Sequence, residues 1–290
     1  MRGGQRQVLL LMQALRKAGH ECALLARRQR PLWQAATAAG FETHAASLAN
    51  LWRHSMEADI LHVHDARAHT LAAIASRRRF VASRRVAFAV GGSPLSQWKY
   101  ARARRYLAVS HFVAEQLTRG GIPDEWIDVI YDAIEPTEVS DEWSPSHPAV
   151  VLASRDPQKG RDLAVQAAAK AQVELLLSDA LAEDFRRASM FVYITRSEGL
   201  GSAALLAMSM GVPVIASRTG GLPEVIEDGV SGLLVENETS EIAAAMQRIL
   251  HDSQQARLLI ENAKARVAAR FTPDHLVAAT LASYRRALAR

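Results

Sequence analysis

Cysteine is almost missing from this chain. Cys22 is the only one in 290 residues, which excludes a disulfide framework and fits a reducing compartment. Long apolar runs are missing too: none approaches the roughly 20 residues that span a bilayer. Residues 8–15 have the hydrophobicity of a signal-peptide core. Gln13 interrupts that stretch and Lys17 closes it, so it reads as an amphipathic helix. No helix-turn-helix, zinc-finger or RNP-type pattern is present, which argues against a nucleic-acid module. His62 and His64 lie two apart, so they share one face of a strand, and neither has further partners at metal-ligand spacing. There is no internal repeat.

What is present is a globular composition, 49% hydrophobic and 22% charged, enough for one large or two medium domains. The charge is uneven. Residues 1–125 carry 19 Lys+Arg against 8 Asp+Glu, whereas residues 147–290 carry 16 of each. Arginines cluster at Arg27-Arg28-Arg30, Arg77-Arg78-Arg79, Arg84-Arg85 and Arg102-Arg104-Arg105. A solvated face and an anionic membrane surface both account for them.

Helical and strand patterns alternate almost throughout, the signature of α/β architecture with parallel sheets. The first half reads as helix 5–18, strand 21–26, helices 32–39 and 46–56, and strand 60–63 ending in His62-Val63-His64-Asp65. Helix 66–76, strand 85–90, a basic helix 93–105, strand 106–109, helix 110–118 and strand 128–130 follow. Residues 131–148 hold Pro136, Pro145, Pro148 and five acids, the composition of a linker. The second half starts again with strand 150–153 and a turn, residues 154–160. It continues through helix 161–171, strand 173–177 and helix 180–188, and closes with helices after residue 240, the last opened by Thr272-Pro273.

Within that half, residues 190–236 hold two strand–turn–helix units in succession. Strand 191–195 runs into Glu198, Gly199 and Gly201, then a small-residue helix. Strand 213–217 runs into Gly220-Gly221-Leu222-Pro223-Glu224. Two such turns place helix N-termini at one edge of a parallel sheet, where backbone N–H groups and the helix dipole favour a phosphate. Residues 199–204 also match G-x-G-x-x-A, a variant of the dinucleotide fingerprint. Arg218, after the next strand, stands where an NADP enzyme places a cation for the 2′-phosphate. An NADP-binding Rossmann oxidoreductase is therefore one reading. Against it, the fingerprint is late in its domain, and the Glu198 carboxylate would repel a pyrophosphate.

The block Ser197-Glu198-Gly199-Leu200-Gly201, then Ala207-Met208, Gly211 to Ala216 and Gly220 to Ile226, closely resembles the donor-site region of GT-B glycosyltransferases of family 4, the glycosyl transferases of group 1. Gly3-Gly4 with Arg6, Gly19-His20-Glu21, His62-Val63-His64, Ala108-Val109-Ser110, and Arg155 with Lys159-Gly160 fall in family order. The resemblance implies two Rossmann-like parallel-sheet domains facing a cleft. It sets an N-terminal acceptor-side domain at 1–132, a linker at 133–148, a nucleotide-sugar domain at 149–272, and a C-terminal helix, 273–290, crossing back to the first domain. It implies transfer of a sugar, with retention, from a nucleotide diphosphate sugar to a glycan or lipid-linked acceptor of the lipopolysaccharide or cell-envelope type. Arg155 and Lys159 would neutralise the departing diphosphate, and Glu198 would bind the donor sugar's hydroxyls. Gly199, Leu200, Gly201, Ser202 and Glu224 would complete the donor site, and Gly3, Gly4 and His64 would line the acceptor side. The chain contains no Asp-x-Asp, so neither a metal nor a cofactor is expected. The expected location is the cytoplasm, peripheral to the anionic inner face of the cytoplasmic membrane, and no nucleic-acid partner is expected.

Three departures accompany the resemblance. The family places a second glutamate eight residues after the first, for the ribose hydroxyls, where this chain has Leu206. Losing that acceptor costs about 1.5–3 kcal/mol. Family members begin with a buried strand before the glycine loop, and this chain begins inside the loop, so its first sheet is expected to lack a central strand; either the true start lies upstream or the form is shortened. Finally, 38 residues separate Lys159 from Glu198, about one helix–strand unit fewer than the family has. A non-catalytic remnant of a glycosyltransferase is the reading these departures support.

Overall fold

The computed structural model describes residues 1, 3–135 and 142–289. They divide into two units, Met1–Ala133 with Pro273–Arg290 and Ile134–Thr272. Part of the expected linker, residues 136–141, lies outside the described residues.

In the first unit, short polar side chains set where helices begin. Ser47, Asp65, Ser93 and Ser110 each accept from a backbone N–H three residues on, at 2.8–3.2 Å, which satisfies donors the first turn leaves unpaired. The order is α1 (Gly3–Lys17), β1 (Ala23–Ala26), α2 (Pro31–Ala38), β2 (Glu42–Ala45), α3 (Leu48–Glu57), β3 (His62–Val63), α4 (Ala66–Ala75), β4 (Phe80–Arg84), α5 (Pro94–Ala101), β5 (Ala103–Ala108), α6 (His111–Arg119) and β6 (Ile127–Val129). All pairings are parallel. The described strands form two separate sheets, β1-β2 and β3-β4-β5-β6.

Several elements differ from the sequence reading: Glu42–Ala45 forms an unexpected strand, β2, and the basic helix expected at 93–105 is α5 at Pro94–Ala101. The strand expected at 85–90 is β4 at Phe80–Arg84, and the strand expected at 106–109 begins at Ala103. Phe80, Val81 and Ala82 are buried between β3 and β5. In the sequence they sit between arginine clusters that hide them. β5 can bury Arg105 because Asp128 takes its guanidinium in a bidentate pair at 2.6 and 2.8 Å, the geometry in which arginine tolerates burial.

The second unit is built on β7 (Ala149–Leu152), α7 (Arg161–Ala171), β8 (Leu175–Ser178), α8 (Leu181–Asp184), β9 (Met190–Tyr193), α9 (Ser202–Ser209), β10 (Val214–Ser217), α10 (Leu222–Val225), β11 (Leu233–Val235), α11 (Thr239–His251) and α12 (Ser253–Arg270). Its five strands are parallel in the order β11-β10-β9-β7-β8. Apolar runs on β7, β9 and β10 are buried, as a sheet covered on both faces requires. Ala164, Ala167, Ala168 and Ala171 of α7 and Ile242, Met246 and Ile249 of α11 cover Val151, Val192, Ile215 and Val235 in one cluster. β8 is an edge strand that leaves Leu176 and Leu177 exposed.

The last helix, α13 (Pro273–Leu288), belongs to the first unit. Leu276 joins the cluster of Leu11, Leu15, Val81 and Leu107. Ser283 donates to Asp128 at 2.6 Å and Arg286 to the same carboxylate at 2.7 Å. Burial works against ionisation of Asp128, but the Arg105 bond first, then Ser283 and the Arg105 and Arg286 charges, keep its carboxyl below the usual carboxylate range.

Candidate functional site

In the second unit the chain enters the sheet at β7, steps to β8 on one side, then returns to β9 on the other. Where strand order reverses, the loops after the two strands diverge and leave a crevice at their carboxyl ends. The loop after β7 carries Arg155 and Lys159. The loop after β9 carries Glu198, Gly199 and Gly201. Topology thus brings residues about forty positions apart to one edge.

Lys159 donates its ammonium to Glu198 Oε2 at 2.8 Å, both side chains being mostly buried. Tyr193, the last residue of β9, donates its hydroxyl to the same oxygen. Glu198 Oε1 accepts from the Gly199 N–H at 3.1 Å. Burial pushes the Tyr193 hydroxyl well above its ordinary pKa, and the neighbouring Glu198 carboxylate pushes it further, so Tyr193 remains a donor. Both carboxylate oxygens of Glu198 are engaged, and Lys159 is its counter-ion. No sequence motif singles out Tyr193: its only signal is its place in the buried run Met190–Tyr193.

The glycines hold this arrangement by close backbone approach. Gly220 has φ +58°, and a Cβ there would lie 2.1 Å from the Glu198 carbonyl oxygen. A Cβ on Gly221 would lie 2.2 Å from the Gly199 carbonyl oxygen. The Gly221 N–H donates to the Glu198 carbonyl at 3.1 Å. The two turns are therefore one interlocked structure that only glycine permits. Gly201, at φ +111°, caps α9 and meets Leu222 of α10. Ser202 begins α9, whose first N–H groups have no intrahelical acceptor. Leu200 is buried. Behind the turn, Thr195 N–H donates to Ser217 Oγ at 2.8 Å, Ser217 to Asn237 at 2.6 Å, and Asn237 returns to the Thr195 carbonyl at 3.1 Å.

Glu224 lies in the first turn of α10, and Arg266 of α12 donates to the Val225 and Glu224 carbonyls at 2.7 and 3.2 Å. Arg155 is exposed, and no ion pair to it occurs among the described residues. Leu206 is half-buried on α9. Arg218 pairs with Asp228 and lies 3.7 Å from Glu236. Those carboxylates already neutralise the cation that an NADP 2′-phosphate would require.

The expected acceptor-side residues lie in the first unit. The His62 and His64 rings stack with centroids 3.9 Å apart. His62 bonds Tyr284 through Nδ1 at 2.7 Å and Ser83 through Nε2 at 2.8 Å. Arg85 donates to His64 Nδ1 at 3.2 Å and to Asp132 at 2.8 Å. Since a guanidinium only donates, His64 Nδ1 accepts, and a neutral His64 carries its proton on Nε2. Burial, then the neighbouring His62 and Arg85, hold His64 well below the ordinary histidine range; burial and Arg85 take His62 down to about 3. Gly3 opens α1, and a Cβ on Gly4 would stand 3.9 Å from the Arg85 side chain. Arg85 thus links His64 and Asp132 and lies beside Gly4, although in the sequence it is only one member of a basic cluster.

Among the described residues, no group of three His, Cys, Asp or Glu side chains is placed to hold a metal ion, and no helix is long and apolar enough to cross a membrane.

Residues 149–266 match the family described as glycosyl transferases group 1, and residues 1–138 match glycosyltransferase family 4. The D-inositol 3-phosphate glycosyltransferase of Mycobacterium avium (strain 104) is 39% identical over 109 residues, 37% of this chain and 26% of that protein. The protein of the same name from Acidothermus cellulolyticus is 39% identical over 112 residues, 38% of this chain and 25% of that one. The matched stretch therefore spans about a quarter of either relative. Among solved structures, HepE of Anabaena in complex with UDP-glucose superposes with a TM-score of 0.79 at 19% identity, covering 98% of this chain and 96% of the other. The lipopolysaccharide outer core galactosyltransferase WaaB, in its apo form, gives 0.73 at 14% identity, with 98% and 95% covered. At these identities the likeness is one of fold.

Proposed function

The chain belongs to the glycosyl transferases of group 1 and family 4, with the GT-B fold, and on that premise we propose that it transfers a sugar from a nucleotide diphosphate sugar to a glycan or lipid-linked acceptor of the cell-envelope type. The observation that carries the reading is the Lys159–Glu198 pair at the switch point of the second sheet, set on two interlocked glycine turns.

A diphosphate at that edge meets the N-terminus of α9 at Gly201 and Ser202, where N–H groups and the helix dipole favour an anion. Lys159 exchanges its Glu198 partner for the phosphates. Arg155, exposed one turn earlier, adds a second cation. Together they stabilise the charge that develops as the diphosphate departs, which is where a fixed cation lowers the barrier. Glu198, released from Lys159 and still held by Tyr193, accepts from hydroxyls of the donor sugar. Glu224 and the N–H groups of the second turn supply the remaining donor contacts. That HepE binds UDP-glucose supports a nucleotide-sugar donor. We assign the acceptor to the first unit, where Gly3 and Gly4 open α1 and His64 offers its Nε2–H to a hydroxyl. Retention of anomeric configuration belongs to this reading. So does a cytoplasmic location at the inner face of the membrane, supported by the basic first half.

The test is release of nucleotide diphosphate across a panel of nucleotide sugars, with Glu198→Ala beside the natural chain. Donor-specific release that the substitution abolishes is expected. Release from no donor, or an unaffected variant, refutes the reading. Leu206 and the short spacing from Lys159 to Glu198 motivate one alternative, a non-catalytic remnant of a glycosyltransferase; release from no donor would select it.

A further inference from the structure

Just past the carboxyl end of β9, Thr195 is fully buried. Its hydroxyl lies 3.0 Å from the Gln158 carbonyl and 3.0 Å from the Ser197 carbonyl. A hydroxyl has a single proton to donate, so the two carbonyls share it. Gln158 immediately precedes Lys159, and Ser197 immediately precedes Glu198. One buried hydroxyl therefore ties the residue before the cation to the residue before the carboxylate, across loops that leave different strands.

Thr195 is itself fixed from behind. Its N–H is taken by Ser217 at the end of β10, and its carbonyl by Asn237 beyond β11. The loop that carries Lys159 is pressed against the same segment. The Arg196 N–H donates to the Gln158 carbonyl at 2.8 Å. Gly160 has φ +54°, and a Cβ there would lie 2.5 Å from the Ile194 side chain and 2.8 Å from the Ile194 carbonyl oxygen; both facts confine the position to glycine. Tyr193 joins the same two partners at their side chains, with its hydroxyl on Glu198 and its ring 5.6 Å from the Lys159 ammonium. Pairing a buried hydroxyl needs one acceptor. A second acceptor, from the other loop, adds nothing to that requirement and fixes the spacing between the loops.

We propose that Thr195 is a positioning residue for sugar transfer: its hydroxyl sets the spacing of the Lys159 and Glu198 loops. That spacing fixes where the departing diphosphate meets its cation while the sugar stays on the carboxylate. The proposal rests on the sugar-transfer reading above. Its leverage is on the rate, because misplacing a preorganised group by about 1 Å can cost about 100-fold.

Thr195→Val removes the hydroxyl and leaves Gln158 its bond from Arg196, whereas Thr195→Ser keeps the hydroxyl. A double-mutant cycle in urea unfolding, Lys159→Met with Glu198→Gln, reads the coupling of the pair in each background. It should be about tenfold in the folding equilibrium of the natural chain, about threefold or less with Thr195→Val, and again about tenfold with Thr195→Ser. Ser217→Ala, which loosens Thr195 from behind, should give an intermediate value. In the diphosphate-release assay Thr195→Val should lower kcat about tenfold or more and move the KM for the nucleotide sugar about threefold or less, and Thr195→Ser should restore kcat. The cycle needs no ligand. Release from no donor by the natural chain would therefore count against sugar transfer, while the cycle still decides whether Thr195 sets the pair. Coupling that stays at its natural value in Thr195→Val, whatever the loss of overall stability, would make the hydroxyl structural only and overturn the proposal. So would a Thr195→Ser chain that behaves as Thr195→Val does, or an unchanged kcat in Thr195→Val.

Discussion

Replacing Glu198 by glutamine separates two roles that the structure assigns to one carboxylate. The natural side chain makes three bonds: to Lys159 at 2.8 Å, to the Tyr193 hydroxyl, and to the Gly199 N–H at 3.1 Å. The amide keeps an oxygen for Tyr193 or Gly199 and loses the charge facing Lys159. Breaking a fully buried ion pair costs about 3–5 kcal/mol. Here the lysine side chain is 28% and the glutamate 18% exposed, so the expected loss is nearer the 1.5–3 kcal/mol of a charged hydrogen bond. For a unit of this size that lowers the midpoint by about 4–10 °C.

The effect on ligands should have opposite signs. In the natural protein a diphosphate must first displace Glu198 from Lys159. The glutamine variant is spared that step, so its affinity for UDP should rise about tenfold or more, at 1.4 kcal/mol per factor of ten. Transfer should move the other way, because a hydroxyl of the donor sugar loses a charged acceptor, and kcat/KM should fall about 10- to 150-fold. Calorimetric titration with UDP and the diphosphate-release assay read the two quantities separately. If UDP affinity and transfer fall together, Glu198 serves only to fold the loop, and the exchange of partners on Lys159 is wrong.

Three further outcomes follow from the same geometry. Gly220→Ala, with its Cβ 2.1 Å from the Glu198 carbonyl oxygen at φ +58°, should cost about 2–4 kcal/mol in urea unfolding and loosen donor binding; an unchanged midpoint would refute the interlocked turns. Leu206→Glu should tighten UDP binding about 10- to 100-fold if ribose lies over α9, since it supplies a charged acceptor worth about 1.5–3 kcal/mol; no gain would place ribose elsewhere. The first unit should lose stability as pH falls. His62 titrates at about 3 folded against 6.5 ordinarily, so below pH 6.5 the unfolded state binds the extra proton, and stability falls by about 1.4 kcal/mol per pH unit for that ring until pH approaches its folded value. His64 shifts in the same direction. Urea midpoints between pH 7.5 and 5 measure the slope, and a flat profile would refute the buried neutral pair.

What could be read from the chain divides according to whether a residue's requirement is local. The glycine turns were legible because positive φ and backbone-to-backbone approach restrict a position to glycine wherever it occurs. Lys159 and Glu198 were legible by type, but their contact was not, since it depends on β7 and β9 becoming neighbours across a reversal of strand order. Tyr193 was invisible for the opposite reason: a tyrosine in an apolar strand is ordinary until its hydroxyl is seen to meet a carboxylate. The misplaced strand of the first half is the most instructive case. Residues 86–90 are more apolar than the flanks of Phe80–Arg84, and burial by hydropathy alone selects them. The sheet instead takes the segment whose arginine neighbours can be paired or solvated: Arg85 with Asp132 and Arg105 with Asp128. The displaced apolar run is left on the surface, with Val86 and Phe88 exposed. A sequence that places its more hydrophobic segment outside the core is not explained by stability of the isolated chain, because burying that area would contribute about 25 cal/mol per Å².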